Sequence, residues 1–161
     1  MTQTPLDPQF EQRVRASFER QAAMATLGAR LARVAPGEVV IELPFRSELT
    51  QQHGFLHAGI VTSVMDSACG YAVLSLMEPG AAVLSVEFKV NLIAPARGHR
   101  FRASGRVVRA GRTVTVVSAE LRVVDAPHEG PPAAAPDPPG ARVAIMTGTM
   151  MTVRDRPGLV D

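Results

Sequence analysis

Asp66 is the one charged side chain between His57 and Glu78. The run around it, AGIVTSVMDSACGYAVLSLM, is long and apolar enough for a buried helix. An ionised carboxylate in such a helix is costly unless it is paired, hydrogen-bonded or put to use. Helical spacing puts Gly59, Thr62, Ser63, Cys69, Gly70 and Val73 on the face of Asp66, and Ile60, Val61, Val64, Met65, Tyr71 and Ala72 on the other. The bulky face suits a core. The small polar face lets a ligand or a partner chain come close, and a desolvated carboxylate there suits a general base or a nucleophile. Composition alone leaves a structural role equally open, as a loop cap or an arginine partner.

Residues 51–59, QQHGFLHAG, lead into this helix. The first N–H groups of a helix have no partner inside it and sit at its positive end. Those of Ala58 and Gly59 can therefore polarise a substrate carbonyl, as an oxyanion hole does. His57 can orient such a site or be an ordinary helix-start histidine. Asp66 lies nine positions beyond His57, roughly 13 Å along a continuous helix. An acid and an oxyanion hole must both come within about 3 Å of the reacting group, so one chain cannot bring them together. Two antiparallel copies of the helix can, which predicts at least a dimer if both act.

The elements that hold these residues read as follows. Asp7-Pro8 starts an amphipathic helix of roughly four to five turns, with Phe10, Val14 and Phe18 on one face. Pro36-Gly37 is a turn, and residues 38–45 form a strand. The long helix spans 57–77 and stops at Glu78-Pro79-Gly80. In residues 83–92, Leu84, Val86, Phe88, Val90 and Leu92 alternate with polar neighbours, which predicts a half-buried strand. Residues 100–109 and 113–124 pair through a hairpin at Ala110-Gly111, and residues 142–153 close the sheet. The segment 126–140, APHEGPPAAAPDPPG, holds six of the 13 prolines and predicts an extended loop.

Bulk properties narrow the classes. The 161 residues are 46% hydrophobic and 20% charged, as in one globular domain. Of 17 basic residues only Lys89 is lysine, and the arginines are dispersed. With no Trp and one Tyr, this argues against nucleic-acid binding. Residues 58–77 are too polar for a membrane span, and the start of the chain lacks a signal-peptide pattern. Cys69 is the single cysteine, so no intrachain disulfide forms, in keeping with the cytoplasm. Four scattered histidines offer no metal-ligand spacing.

Residues 51–72, QQHGFLHAGIVTSVMDSACGYA, resemble the signature of the PaaI-like hotdog thioesterases, in which a glycine precedes an HGG motif and an Asp or Glu follows in the helix. Gly54, His57 and Asp66 match that spacing. Residues 85–96, SVEFKVNLIAPA, resemble the family's next strand, and Gly111-Arg112 its following hairpin. The resemblance implies an α+β hotdog fold: a long central helix wrapped by an antiparallel sheet of about five to six strands, with an extra N-terminal helix, as a single domain over 1–161. It implies hydrolysis of an acyl-CoA thioester, aryl or medium-chain, to free acid and CoA, without cofactor or metal, by homodimers that often pair into tetramers. It makes Asp66 the group that activates water or attacks the carbonyl. Ala58 and Gly59 line the thioester oxygen, with the Ala58 N–H as donor. Gln51 helps to place the water or the acyl group, and Ser85 assists the carboxylate. Arg109, Gly111 and Arg112 lie near the nucleotide end of CoA. There are two departures: HAG stands in place of HGG, which keeps the N–H and adds a methyl, and 126–140 is an insertion. An enoyl-CoA hydratase and a non-catalytic acyl-CoA binding module are alternatives on the same fold.

Overall fold

The computed structural model describes residues 3–124 and 140–159; the proline-rich segment at 126–140 falls outside them except for Gly140. Helix α1 (Phe10–Arg20) buries Val14 fully and half-buries Phe18, as their spacing predicts. It is shorter than the sequence suggests. Asp7 is not its N-cap: the Asp7 carboxylate accepts from the Gln9 N–H at 2.8 Å and pairs with Arg13, and the helix begins after Gln9. At the other end Gln21 takes an extended backbone (φ −79°, ψ 93°), so the helical pattern restarts as a separate α2 (Ala22–Leu27).

Six strands form one antiparallel sheet: β1 (Arg30–Ala35), β2 (Glu38–Pro44), β3 (Ala82–Leu92), β4 (Arg100–Arg109), β5 (Val114–Val123) and β6 (Arg142–Val153), in the order β1-β2-β4-β5-β6-β3. Sequence reading missed α2 and β1, because RLARVA lacks a clean alternation and β1 carries a bulge between Leu31 and Arg33. Helix α3 (Ala58–Leu74) lies across one face of the sheet, over a core that includes Ile41, Leu43, Phe101, Leu121, Met146 and Met150. This is the hotdog arrangement that the resemblance implies.

One close approach sets how deep α3 sits. A side-chain carbon at Gly105 of β4 would run into the backbone of Ala68 and Cys69, so only glycine lets helix and sheet meet there. Cys69 and Val73, expected beside Asp66, are instead buried in the core (0% and 2% exposed). The sheet curls around the helix and claims a wider arc of it than a flat layer would. What stays open is the narrow row of Ala58, Gly59, Thr62, Ser63, Asp66 and Gly70, half-buried or exposed.

Strand β3 departs most from its expected setting. It pairs with β6 alone and forms an edge of the sheet. The face expected to be buried is largely open: Leu84, Val86, Phe88 and Leu92 are 39–57% exposed, and of the five alternating residues only Val90 packs on the core.

Candidate active site

Asp66 sits at the middle of the open row of α3, beside the first half of β3. Ser85 Oγ donates to Asp66 Oδ1 at 2.7 Å and also lies 3.3 Å from Met150 Sδ. The serine arrives there by register: Ser85 pairs with Met150, which pairs with Thr115, and all three point to the helix side. Asp66 Oδ2 accepts no hydrogen bond among the described residues. In the isolated chain Asp66 is half-buried rather than enclosed, because the β3 side of the cleft is open. No arginine pairs with it among the described residues, which removes the loop-cap and ion-pair roles that composition allowed. A carboxylate with one oxygen held by a hydroxyl and the other unengaged can take a proton from water or attack an electrophilic carbon.

Cys69, one turn on, is a core residue. Burial, with the Asp66 charge adding to it, pushes its thiol up to about 12. It is therefore a neutral space-filler, not a nucleophile.

The helix start forms the second cluster. His57 is the N-cap of α3, and its Nδ1 accepts from the Gly59 N–H at 2.9 Å. The expected pair of donors is thereby divided. The Gly59 N–H is occupied, whereas the Ala58 N–H donates to no group among the described residues. The His57 N–H itself is anchored on the Leu49 carbonyl at 2.9 Å. With Nδ1 accepting, a neutral His57 carries its proton on Nε2. Ala58 has an ordinary helical backbone, so alanine in place of the family's glycine strains nothing. Gln51 sits across a tight loop in which its N–H bonds the Phe55 carbonyl at 2.9 Å and its side-chain oxygen accepts from the His53 N–H.

The two clusters do not converge within the chain. Asp66 and Ser85 open onto a cleft of about 160 Å³. Gln51 and Ala58 line a different one of about 390 Å³, bounded by Leu92 and Ile93 at the far end of β3. Three residues that sequence reasoning passed over, Gln21, Ser67 and Tyr71, also line the Asp66 cleft. Tyr71 was assigned to the opposite face, yet its ring reaches around the helix: its hydroxyl donates to Gln21 Oε1 at 3.1 Å. The available signal was the chain's single tyrosine within an otherwise aliphatic run.

The hairpin residues lie apart from both clefts. Arg109 and Arg112 are exposed at the β4–β5 tip and form no ion pair among the described residues. Gly111 is needed there, since a side chain would strike the Val114 carbonyl. It lines a third cavity, of about 340 Å³, with Leu76, Met77 and Arg154. Among the described residues no three metal-ligating side chains cluster, and no helix is long and apolar enough to cross a membrane.

Comparison with known proteins agrees with this architecture. Residues 53–126 match the family described as the Thioesterase superfamily. A thioesterase family protein from Silicibacter pomeroyi is 50% identical, with a TM-score of 0.80 over 90% of this chain and 98% of that one. Acyl-coenzyme A thioesterase 13 of Homo sapiens is 30% identical over 65% of this chain and 72% of that protein. The E. coli PaaI protein, at 20% identity, shares the fold, with a TM-score of 0.75 over 94% of this chain and 96% of that one. Half of the aligned residues are thus shared with a thioesterase family protein over most of both chains, on a common fold. The chain belongs to the thioesterase superfamily and is a thioester hydrolase with the hotdog fold.

Proposed function

We propose that this hydrolase cleaves acyl-CoA thioesters at two equivalent sites, each shared between two copies of the chain. The observation that carries the reading is the placement of the two clefts at opposite ends of one open edge. Ser85 and Asp66 stand by the start of β3, and Ala58 and Gln51 by its end at Leu92 and Ile93. If two β3 edges pair antiparallel about a two-fold axis, the start of one faces the end of the other. Each Asp66 then meets the helix start of the partner copy. An eleven-residue edge with unpaired backbone groups and exposed apolar side chains is a template for such pairing.

In that site the Ala58 N–H of one copy takes the developing charge on the thioester oxygen. Asp66 of the other, steadied by Ser85, either takes a proton from the attacking water or attacks the carbonyl carbon itself. In both routes the C–S bond breaks, the CoA sulfur leaves and is protonated, and one water is consumed to give the free acid. Gln51 lies on the Ala58 side to place the acyl group or the water. The exposed cations Arg109 and Arg112 suit the CoA phosphates. A second apolar row on the outer face of the sheet, Leu84, Met151 and Val114 across three paired strands, supports a dimer of dimers. The reading needs no metal or cofactor and places the enzyme in the cytoplasm.

A panel of acyl-CoA substrates with thiol release as readout tests the reading. Asp66→Asn lowers kcat by about 10³-fold or more, the scale of removing a principal catalytic group, with the fold retained. Wild-type rates in that variant would remove Asp66 from the chemistry.

A further inference from the structure

The third cavity, under the β4–β5 tip, has no part in the proposed hydrolysis. At about 340 Å³ it is larger than the Asp66 cleft and falls within the usual size of small-molecule sites, about 300–1,000 Å³. Val73, Leu76 and Met77, at the end of α3, give it an apolar wall, and Ala110 of the hairpin faces them. The segment before α1 forms its outer lip. Gln3 Nε2 donates to the Val107 carbonyl at 3.0 Å, and the Leu6 N–H donates to the Leu76 carbonyl at 3.3 Å. Leu6 is nonetheless 66% exposed, an apolar side chain held at the mouth.

Two hydroxyls interrupt this apolar lining. Thr115 of β5 and Thr152 of β6 both border the cavity and are only 3% and 8% exposed. Neither hydroxyl has a hydrogen-bond partner among the described residues, although buried polar groups are nearly always paired. Thr115 stands opposite Met150, two residues before Thr152, so the two are diagonal neighbours on one face of the sheet. That spacing lets both serve the same polar end of a ligand. The charges at the rim are already matched: Glu78 accepts from Arg154 Nε, and Arg154 Nη1 donates to the Arg112 carbonyl at 2.9 Å. The cavity is also walled off from Asp66. Met150, fully buried, lies between Ser85 and Thr115 in the paired row, and Val83, the partner of Thr152, borders the Asp66 cleft.

We propose that this cavity is a second ligand site, separate from the thioester site, for a neutral, mostly apolar molecule with a single hydrogen-bonding end. The apolar wall takes the body of the ligand, and Thr115 and Thr152 take its hydroxyl or carbonyl group. With Arg154 and Glu78 bound to each other, the site has no free cation for a carboxylate and no free anion for an amine. The volume is more than twice that of a cavity that admits benzene, about 150 Å³, so one ring with a short alkyl chain fits. Two waters on the threonines would leave most of the apolar wall without contacts, which is why an organic ligand suits the space better than solvent.

The test titrates the full chain with 4-ethylphenol, ethylbenzene and 4-ethylbenzoate by calorimetry, and follows the methionine methyl resonances to locate the bound molecule. 4-Ethylphenol binds in the millimolar range or tighter and shifts the Met77 methyl signal. Its affinity exceeds that of ethylbenzene by about tenfold, the scale of one hydrogen bond made in a buried site. Thr115→Val and Thr152→Val keep the shape of the side chain and remove the hydroxyl, and each brings the phenol toward the affinity of ethylbenzene. Gly70→Val places a side chain in the Asp66 cleft, where the nearest neighbour is Val83 at 3.9 Å from the added carbon, and leaves phenol binding unchanged. The matched ligands need no variant, so the comparison holds even if a threonine variant fails to fold. Absence of binding overturns the site. Equal binding of 4-ethylphenol and ethylbenzene, or tighter binding of 4-ethylbenzoate, overturns the ligand class. Loss of binding in Gly70→Val places the phenol in the Asp66 cleft and overturns a separate site. None of these measurements reads hydrolysis, so each outcome leaves the thioesterase reading where it stands.

Discussion

The two edges of the sheet are built on opposite principles. Strand β1 is short, bulged and guarded by arginines that are already paired: Arg30 with Glu42 at 3.2 Å and Arg33 with Glu38 at 2.7 Å. These are standard devices that stop an edge from adding another strand. Strand β3 is nearly twice as long, and it exposes Val86 at 57%, Phe88 at 43% and Leu92 at 52%. The guarded edge lines neither the Asp66 cleft nor the Ala58 cleft. The unguarded one runs past Asp66 at its start and past the Ala58 cleft at its end. On the proposed reading, that open edge is the surface that a second copy completes.

The most damaging way to break this contrast is to make β3 resemble β1. Val86→Lys with Phe88→Lys puts like charges where two edges would meet. Sedimentation should show monomers, and hydrolysis should fall by about 10³-fold, since each half-site loses its partner. A monomeric variant with wild-type kcat would show that one chain suffices.

A subtler probe uses the helix start. Ala58 is the first residue of α3, and the preceding His57 has an extended backbone (φ −62°, ψ 140°). Proline fits this position without disturbing the helix and removes only the N–H. Ala58→Pro should lower kcat by about 10²–10³-fold, as expected for one lost oxyanion donor. Mixing it with Asp66→Asn sharpens the comparison. After subunit exchange half of the dimers are mixed, and each has one intact site, so activity should return to about one quarter of wild type. No recovery after verified exchange would place both groups on a single chain.

Much of this was legible in the sequence, and the failures have physical causes. The Asp66 helix, its start at His57, the turn at Pro36-Gly37 and strands β2 to β6 follow from periodicity and turn chemistry that tertiary packing did not override. Strand β1 was not legible, because an edge guarded by arginines must break the very alternation that would announce it. The alternation in β3 was visible, but it predicted half-burial within the chain, whereas the strand lies at an edge of the sheet with its apolar side chains open. Gly59 was grouped with Ala58 as a donor because a sequence does not say that a histidine side chain will turn back onto the second N–H. The place of Gln21 in the Asp66 cleft was unreadable, since it depends on a break between two helices that merge into one in the helical pattern.

Ser85 probes the catalytic side of the open edge with a smaller effect. Ser85→Ala removes the 2.7 Å hydrogen bond to Asp66 and leaves the β3–β6 register intact. A lost hydrogen bond to a charged group, at about 1.5–3 kcal/mol, sets an upper bound, and exposure of the pair lowers it. We expect roughly a tenfold loss in kcat with little change in oligomeric state. A fall in dimer stability matching the fall in kcat would make Ser85 a strand residue and not a positioning residue.

The smallest effect belongs to the guarded edge. Arg30 is 71% exposed on its side chain, and its partner Glu42 keeps a tighter bond to Arg102 at 2.6 Å. Arg30→Ala therefore leaves no carboxylate unpaired, and an exposed ion pair of this kind contributes about 0.5 kcal/mol or less. For a chain of this size that is a melting shift of roughly 1–2 °C. Oligomeric state and kcat should not move, because β1 offers neither a strand template nor a site residue. If Arg30→Ala instead gave concentration-dependent association, that arginine alone would be what keeps β1 closed. The difference between the edges would then lie in one charge and not in length, bulge and apolar content together.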